Sequence, residues 1–338
     1  MSKPVALITG ANGEIGRALI KRLAEEGRYD VVTLDLVPLA DGLRPLVASA
    51  YAGNIMDRYL LDEIVAHHDA DVVFHLAALL SSRGERDPEL AHQVNVEGTL
   101  QLLRTAQNQS IRLGRSVRFL FPSTIAVYGI PNLEEKAKTA KIREEQWNLP
   151  ITMYGCNKLY CEHLGRYFTH HYRKHQKSGE PARVDFRALR FPGLISADTL
   201  PTGGTSDFGP EMLHAAAQGK PYSSFVGPEA RIPFMAMPDA IAALLALLEA
   251  DPAKLRATVY NIAGFSLSAE QIAERARKAF PGATITYAPD AVRAQIVDSW
   301  PEDVDDFRAR RDFAWKNDYD ADRAFDEYLL PRIRAPRA

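Results

Sequence analysis

The chain has 338 residues, 46% hydrophobic and 25% charged, the usage of an ordinary globular protein with room for one or two domains and a substantial core. That composition excludes collagen-like, intrinsically disordered and supercharged classes. Forty-one Lys and Arg against 43 Asp and Glu leave a net charge of −2, which supplies no field for gathering nucleic acid or an anionic membrane, so neither is an expected partner.

The opening Met1-Ser-Lys-Pro-Val-Ala-Leu-Ile-Thr9 enters a strand-like segment without a signal-peptide apolar region, and the longest apolar run, residues 240–248, is too short to span a bilayer. A cytoplasmic protein is expected. Val5–Thr9 predicts the first strand, followed by a glycine-rich turn, an amphipathic helix over 15–26 and a strand over 31–35. Further strand candidates at 72–76, 117–121 and 184–189 alternate with helical patterns at 60–67, 89–108 and 154–175. Strand and helix in alternation mean a parallel sheet covered on both faces, a doubly wound Rossmann α/β fold.

Past residue 190 the rhythm loosens, with helices predicted at 210–218 and 239–249 and a strand at 259–263. The expected organisation is an NAD-binding Rossmann domain from 1–190 plus about 232–263, and a smaller C-terminal substrate lobe from about 191–231 plus 264–338. The polar stretch 134–145 and the basic stretch 173–183 read as surface insertions, because a charge run is usually a solvated face. The two cysteines, Cys156 and Cys161, are five apart on one predicted helix and suit neither a disulfide nor a zinc site. The histidine pairs 67–68 and 170–171 lack ligand spacing, so no metal is expected.

Gly10-Ala-Asn12-Gly13-Glu-Ile15-Gly16 sits between the first strand and helix, where glycines permit a tight turn and bring backbone N–H groups and the helix N-terminus against a pyrophosphate. Asp35 ends the second strand, where a carboxylate accepts from an adenosine ribose and repels a 2′-phosphate, favouring NAD over NADP. An Asp that merely caps the turn is the competing reading. Asn54 and Ile55 follow the expected third strand, placed to embrace an adenine, and Leu76, Ala77 and Ala78 end the next strand with small residues that let a cofactor approach. His75 reads equally well as a satisfied core histidine.

Tyr154-Gly-Cys-Asn-Lys158 opens a long predicted helix, and the i, i+4 spacing sets phenol and ammonium one turn apart. A tyrosine with a pKa of roughly 10 is a poor base at neutral pH, but neighbouring positive charge stabilises its phenolate. Ser123 and Thr124 end a sheet strand at the edge where such folds bind ligands, placed to hydrogen-bond a reacting oxygen or to cap their own loop.

The glycine motif, Asp35, Asn95, Pro122-Ser123-Thr124 and Tyr154-x-x-x-Lys158 together resemble the extended short-chain dehydrogenase/reductase superfamily over most of the chain. The resemblance implies that Thr124, Tyr154 and Lys158 act together in hydride transfer, and that Asn95, Tyr154 and Lys158 join the cofactor site. A narrower similarity lies in Ser81-Ser-Arg-Gly84-Glu85, Arg190-Phe-Pro-Gly193, Pro201-Thr-Gly-Gly-Thr205, Met237-Pro-Asp239 and Asp298-Ser-Trp300-Pro301, which resemble the short-chain type of L-threonine 3-dehydrogenases. That family oxidises the 3-hydroxyl of threonine with NAD, which implies Ser81, Ser123, Thr124, Tyr154, Arg190 and Thr205 as substrate residues and a homodimer formed through the two long helices. Arg83, Cys156, Asn157 and Tyr128 depart from its pattern, Tyr128 in the direction of sugar-nucleotide epimerases. The alternatives to an NAD-dependent dehydrogenase are a sugar-nucleotide epimerase or dehydratase of the same superfamily and a non-catalytic dinucleotide sensor.

Overall fold

A computed structural model describes residues 3–172, 184–201 and 204–334; the basic stretch 173–183, and Thr202 and Gly203 of the glycine-rich loop, lie outside the described residues. The chain divides into two compact units. One comprises Met1–Ser123, Asn157–Leu189 and Leu244–Val259, the other Thr124–Cys156, Arg190–Ala243 and Tyr260–Ala338.

The strands in chain order are β1 (Val5–Thr9), β2 (Asp30–Asp35), β3 (Ser49–Ala52), β4 (Ala70–His75), β5 (Val117–Thr124), β6 (Val184–Phe191), β7 (Gly193–Ile195), β8 (Tyr222–Ser224), β9 (Arg231–Ala236), β10 (Val259–Asn261), β11 (Phe265–Ser268) and β12 (Ile285–Tyr287). Helices α1 (Glu14–Glu26), α2 (Arg58–His67), α3 (Ser81–Arg86), α4 (Pro88–His92), α5 (Gly98–Leu113), α6 (Leu133–Lys138) and α7 (Met153–His170) interleave with them. The main sheet runs β10-β6-β5-β4-β1-β2-β3, with parallel pairing of β1 with β2 and β4, of β2 with β3 and of β4 with β5. This is the expected Rossmann sheet.

Its strands read as near-continuous apolar runs because both faces are covered. Leu7, Val32, Val73, Phe119 and Phe121 are buried with Leu61 and Ile64 of α2, Leu102 and Leu103 of α5, and Phe168 of α7. Gly165 lets α7 lie close on β6, since a Cβ there would stand 2.4 Å from the Phe186 ring. Arg187 of β6 is 1% exposed, yet its guanidinium donates to the carbonyls of Leu247, Leu248 and Ala250 and to the Asp185 carboxylate. It thereby satisfies carbonyls that the end of the helix Met237–Glu249 leaves without intrahelical partners.

The helix expected over 89–108 runs without a break over 88–113, as α4, one wide π-helical turn over Gln93–Glu97, and α5. A π turn frees carbonyls from the helical ladder, and here the Asn95 carbonyl accepts from the hydroxyl of Thr99 at 2.5 Å and the thiol of Cys161 at 3.3 Å. The helix expected over 154–175 ends at His170, with Gly155 pressed so tightly that a Cβ would meet the Ala126 carbonyl at 2.1 Å.

In the second unit β9 pairs with β11 antiparallel and with β7 parallel, and β8 pairs with β12 parallel. Both carboxylate oxygens of Asp239 accept backbone N–H groups, from Asp318 at 2.9 Å and Tyr319 at 3.0 Å. The stretch 134–145 is mostly exposed, as expected of a surface segment, but it is anchored by three buried residues. Lys136 is buried and donates to the Val297 carbonyl at 3.2 Å, Ile142 bridges to Val304, and Glu144 accepts from the Asn261 N–H at 2.9 Å. Sequence did not single out Lys136 and Glu144, the two charged residues of the stretch that are buried and partnered inside the unit. Burial pulls the Lys136 ammonium down to about 8, opposed by Asp298 and Glu302. Among the described residues no helix is long and apolar enough to cross a membrane, and no group of three or more His, Cys, Asp or Glu side chains lies where it would hold a metal ion.

Candidate active site

The order β3-β2-β1-β4-β5-β6 reverses direction between β1 and β4, the point where doubly wound sheets bind ligands beyond their strand ends. Gly10 leaves β1 there with φ 72°, and a Cβ on it would stand 2.6 Å from the Ala77 N, so the loop is pressed against the backbone at Leu76 and Ala77. Gly16 packs α1 onto the loop, where a Cβ would meet the Gly10 carbonyl at 2.5 Å. Gly13 differs. A Cβ on it would meet only the Gly10 carbonyl, at 3.2 Å, and it precedes α1 with no side chain capping the helix. Protein packing therefore does not demand glycine at that position.

Asp35 is half-buried at the end of β2, and its carboxylate accepts from the Asn12 N–H at 2.8 Å and the Val37 N–H at 3.3 Å. The Asn12 side chain in turn donates to the Pro38 carbonyl and accepts from the Ala40 N–H, tying the glycine loop to the segment after β2. Ile15 is half-buried in the first turn of α1. Asn54 is exposed and accepts from the Met56 N–H at 2.9 Å, while Ile55 beside it is buried. Asn95 is buried and grips Leu79 through both its carbonyl and its amide, fixing the segment that follows Leu76, Ala77 and Ala78.

His75 is a satisfied core histidine. Thr99 spends its hydroxyl proton on the Asn95 carbonyl, so it accepts from His75 Nε2, and His75 Nδ1 accepts from the Thr9 hydroxyl. Burial, and then the Lys158 charge, push the imidazole down to about 3. It is neutral at physiological pH.

Lys158 is buried, donates to the Pro122 carbonyl at 2.7 Å, and lies 4.2 Å from the centre of the Phe121 ring. Tyr154 stands one turn earlier on α7, and burial raises its phenol above the ordinary tyrosine value. Ser123 donates to the buried Glu162 carboxylate, and Thr124 accepts from the Ala126 N–H at 3.1 Å, capping a short turn. Ser81 is buried at the start of α3, and Arg83 beside it is exposed.

In the second unit Arg190 donates to the Glu144 carbonyl and to Asn148 Oδ1, both at 2.9 Å, and lies over the Tyr128 ring. Tyr128 is fully buried and donates to Asn261 Oδ1 at 2.7 Å. Thr205 is buried in a turn where the Gly204 N–H donates to Asp207. Cys156 is exposed, Cys161 buried, and the buried Asn157 Nδ2 has no acceptor among the described residues. Sequence reasoning missed Glu162, Thr99 and the Glu144–Asn261 pair; the one usable signal was the i, i+4 spacing of Glu162 from Lys158.

Residues 6–263 match the NAD dependent epimerase/dehydratase family. The chain belongs to that family. The family resemblance seen in the glycine, tyrosine and lysine motifs is thereby borne out, and with it NAD as the cofactor. Among relatives of this epimerase/dehydratase chain, the mitochondrial L-threonine 3-dehydrogenase of Bos taurus is 33% identical over 93% of this chain and 79% of its own length. A partial consensus L-threonine 3-dehydrogenase superposes with a TM-score of 0.85 at 35% identity, covering 98% of this chain and 100% of that one. The holo form of an L-threonine dehydrogenase from Cupriavidus necator gives 0.81 at 35% identity, covering 98% and 99%.

Proposed function

We propose that this chain is an NAD-dependent dehydrogenase that oxidises the 3-hydroxyl of L-threonine or a related β-hydroxy-α-amino acid. The observation that carries the reading is the joint retention of Thr124, Tyr154 and Lys158 in a chain that has, across nearly its whole length, relatives named L-threonine dehydrogenases beside others named only epimerase/dehydratase. The first unit is assigned to the cofactor. Gly10, Asn12, Gly13, Ile15 and Gly16 seat the pyrophosphate and Asp35 the adenosine ribose. Asn54 and Ile55 take the adenine, and Leu76, Ala77, Ala78 and Asn95 line the remainder with Tyr154 and Lys158.

NAD, when bound, supplies the hydride acceptor. Tyr154 takes the proton of the substrate hydroxyl as the C–H electron pair departs with its hydrogen, and Thr124 orients that hydroxyl. Burial raises the Tyr154 phenol, so base duty at neutral pH requires positive charge close by, and Lys158 one turn further along α7 is the protein's own source of it. Ser81 and Thr205 are assigned to the polar groups of the amino acid. Ser123 and Arg190 are assigned to the substrate as well; in the structure Arg190 is engaged with Glu144 and Asn148, and Ser123 with Glu162.

A cytoplasmic homodimer belongs to the same proposal, supported by two large rings, Tyr160 and Tyr167, left exposed on α7. Light scattering after gel filtration tests the dimer. The activity is tested by mixing purified protein with NAD and a panel of β-hydroxy-α-amino acids and following NADH absorbance at about 340 nm. Growth with L-threonine is expected; a flat trace with every panel member from protein that binds NAD overturns the reading.

A further inference from the structure

One carboxylate of α7 has no part in the chemistry above. Glu162 lies four residues after Lys158, and the spacing of an α-helix returns the two side chains to one face. It is 3% exposed, and its carboxylate accepts from the Ser123 hydroxyl across to β5. Ser123 follows Pro122, whose carbonyl accepts from the Lys158 ammonium, and Pro122 follows Phe121, whose ring the ammonium faces. Three consecutive residues of β5 and two of α7 thus form one buried set within the first unit.

A buried ammonium is stable only with counter-charge or several acceptors. Around Lys158, His75 of β4 is neutral, and the Cys161 thiol is pushed up to about 11 by burial and keeps its proton at neutral pH. Tyr154, on the same helix, is raised by its own burial. Burial pulls Lys158 down to about 8, opposed by Cys161 and Glu162. With Cys161 protonated, the Glu162 carboxylate opposes that pull.

We propose that Glu162 is a positioning residue that keeps the Lys158 ammonium charged and, through Ser123, fixes the strand end leading into Thr124. The role of Lys158 in tuning Tyr154 rests on the dehydrogenase reading, whereas the electrostatic coupling does not. Ser123 then serves as an anchor for that carboxylate, not as a contact to substrate. Two substitutions separate the charge from the hydrogen bond. Glu162→Gln keeps an acceptor for the Ser123 hydroxyl and removes the charge; Ser123→Ala removes the hydroxyl and keeps the charge.

The test titrates Lys158 directly, by NMR of protein labelled with carbon-13 at the lysine ε position, the signal being assigned from its loss in Lys158→Met. In Glu162→Gln the midpoint is expected to fall by on the order of one pH unit, and in Ser123→Ala and Glu162→Asp to stay near the parent value. An unchanged midpoint in Glu162→Gln, or an equal fall in Ser123→Ala, overturns the proposal. Should Glu162→Gln fail to fold, the Ser123→Ala and Glu162→Asp midpoints still decide, since a fall in both means that packing and not charge sets the titration. A second readout is the pH profile of NAD reduction, in which Glu162→Gln is expected to lose activity at lower pH than the parent on the alkaline side, with KM for the amino acid within about twofold. Parent protein that titrates as described yet reduces no NAD would refute the dehydrogenase reading and leave the electrostatic coupling standing.

Discussion

Gly10 and Gly13, both in the loop after β1, differ in what a side chain there would meet, and substituting each by alanine separates packing from the proposed ligand role. At Gly10 an L side chain at φ 72° costs about 1–2 kcal/mol. The new Cβ would also stand 2.6 Å from the Ala77 N and 2.8 Å from its Cα, backbone atoms that cannot swing aside. Overpacking of that kind adds roughly 1–3 kcal/mol. At roughly 2–4 °C per kcal/mol, Gly10→Ala lowers Tm by roughly 4–20 °C. Gly13 has an ordinary φ of −68° and ψ of 169°, and a Cβ there meets one carbonyl oxygen at 3.2 Å. Gly13→Ala therefore costs the fold about 1 kcal/mol or less. The added methyl nonetheless occupies the face assigned to the pyrophosphate, and the Kd for NAD is expected to weaken at least about tenfold, ~1.4 kcal/mol. Circular dichroism melts and calorimetric titration with NAD measure both quantities on the same samples. A Gly13→Ala protein that binds NAD as tightly as its parent would refute the idea that this glycine is kept for a ligand, and an unshifted melt for Gly10→Ala would refute the packing argument.

Three further outcomes are expected. Asp35→Asn keeps one acceptor oxygen, for the shorter Asn12 N–H bond, gives up the longer bond from the Val37 N–H, and removes the charge proposed to face a 2′-phosphate, so the ratio of kcat/KM for NADP to that for NAD is expected to rise at least about tenfold; an unchanged ratio means that Asp35 only holds the loop. Tyr154→Phe lowers turnover by about 10²–10⁴ while NADH binding, read by fluorescence, stays within about twofold, and retained turnover would remove Tyr154 as the base. His75 is held down to about 3 by burial, below an unfolded value of about 6.5, so the unfolded chain binds the extra proton first. Its contribution to stability is present above pH 6.5 and falls as pH drops toward 3, about 2 kcal/mol between pH 7 and pH 5. Urea midpoints at the two pH values are expected to differ less in His75→Gln, and an undiminished difference would acquit His75.

What the sequence made legible was local and repetitive. The alternation from Val5 to Asp35 is a period-2 run, a glycine turn and a 3.6-residue run, each dictated by neighbours in the chain, and the structure reproduces it nearly to the residue. Partnerships between distant segments were not legible. The stretch 134–145 carries the charges of a surface loop, and nothing local says that Ile142 will pair with Val304 or that Glu144 will meet Asn261 across more than a hundred residues. The π turn inside 89–108 was not legible either: Thr99 and Cys161 donate to the carbonyl it frees, and Cys161 belongs to another helix. At the site the residue types Thr124, Tyr154 and Lys158 were readable as a pattern. That Ser123 turns to Glu162 was not, because a hydroxyl at a strand end has several acceptors within reach and only packing selects one.

The bonds of Arg187 bear on the order in which the chain is assembled during synthesis. Its guanidinium is sealed inside the first unit, yet its acceptors at Leu247, Leu248 and Ala250 emerge from the ribosome some sixty residues later. Until they arrive, the nascent chain holds a buried-to-be cation with only Asp185 to face it, and the edge of the sheet beyond β6 waits for β10. A fragment stopping near residue 190 would contain every glycine of the loop after β1 and still lack the groups that let β6 close, so the first unit becomes a finished object only when about three-quarters of the message has been read.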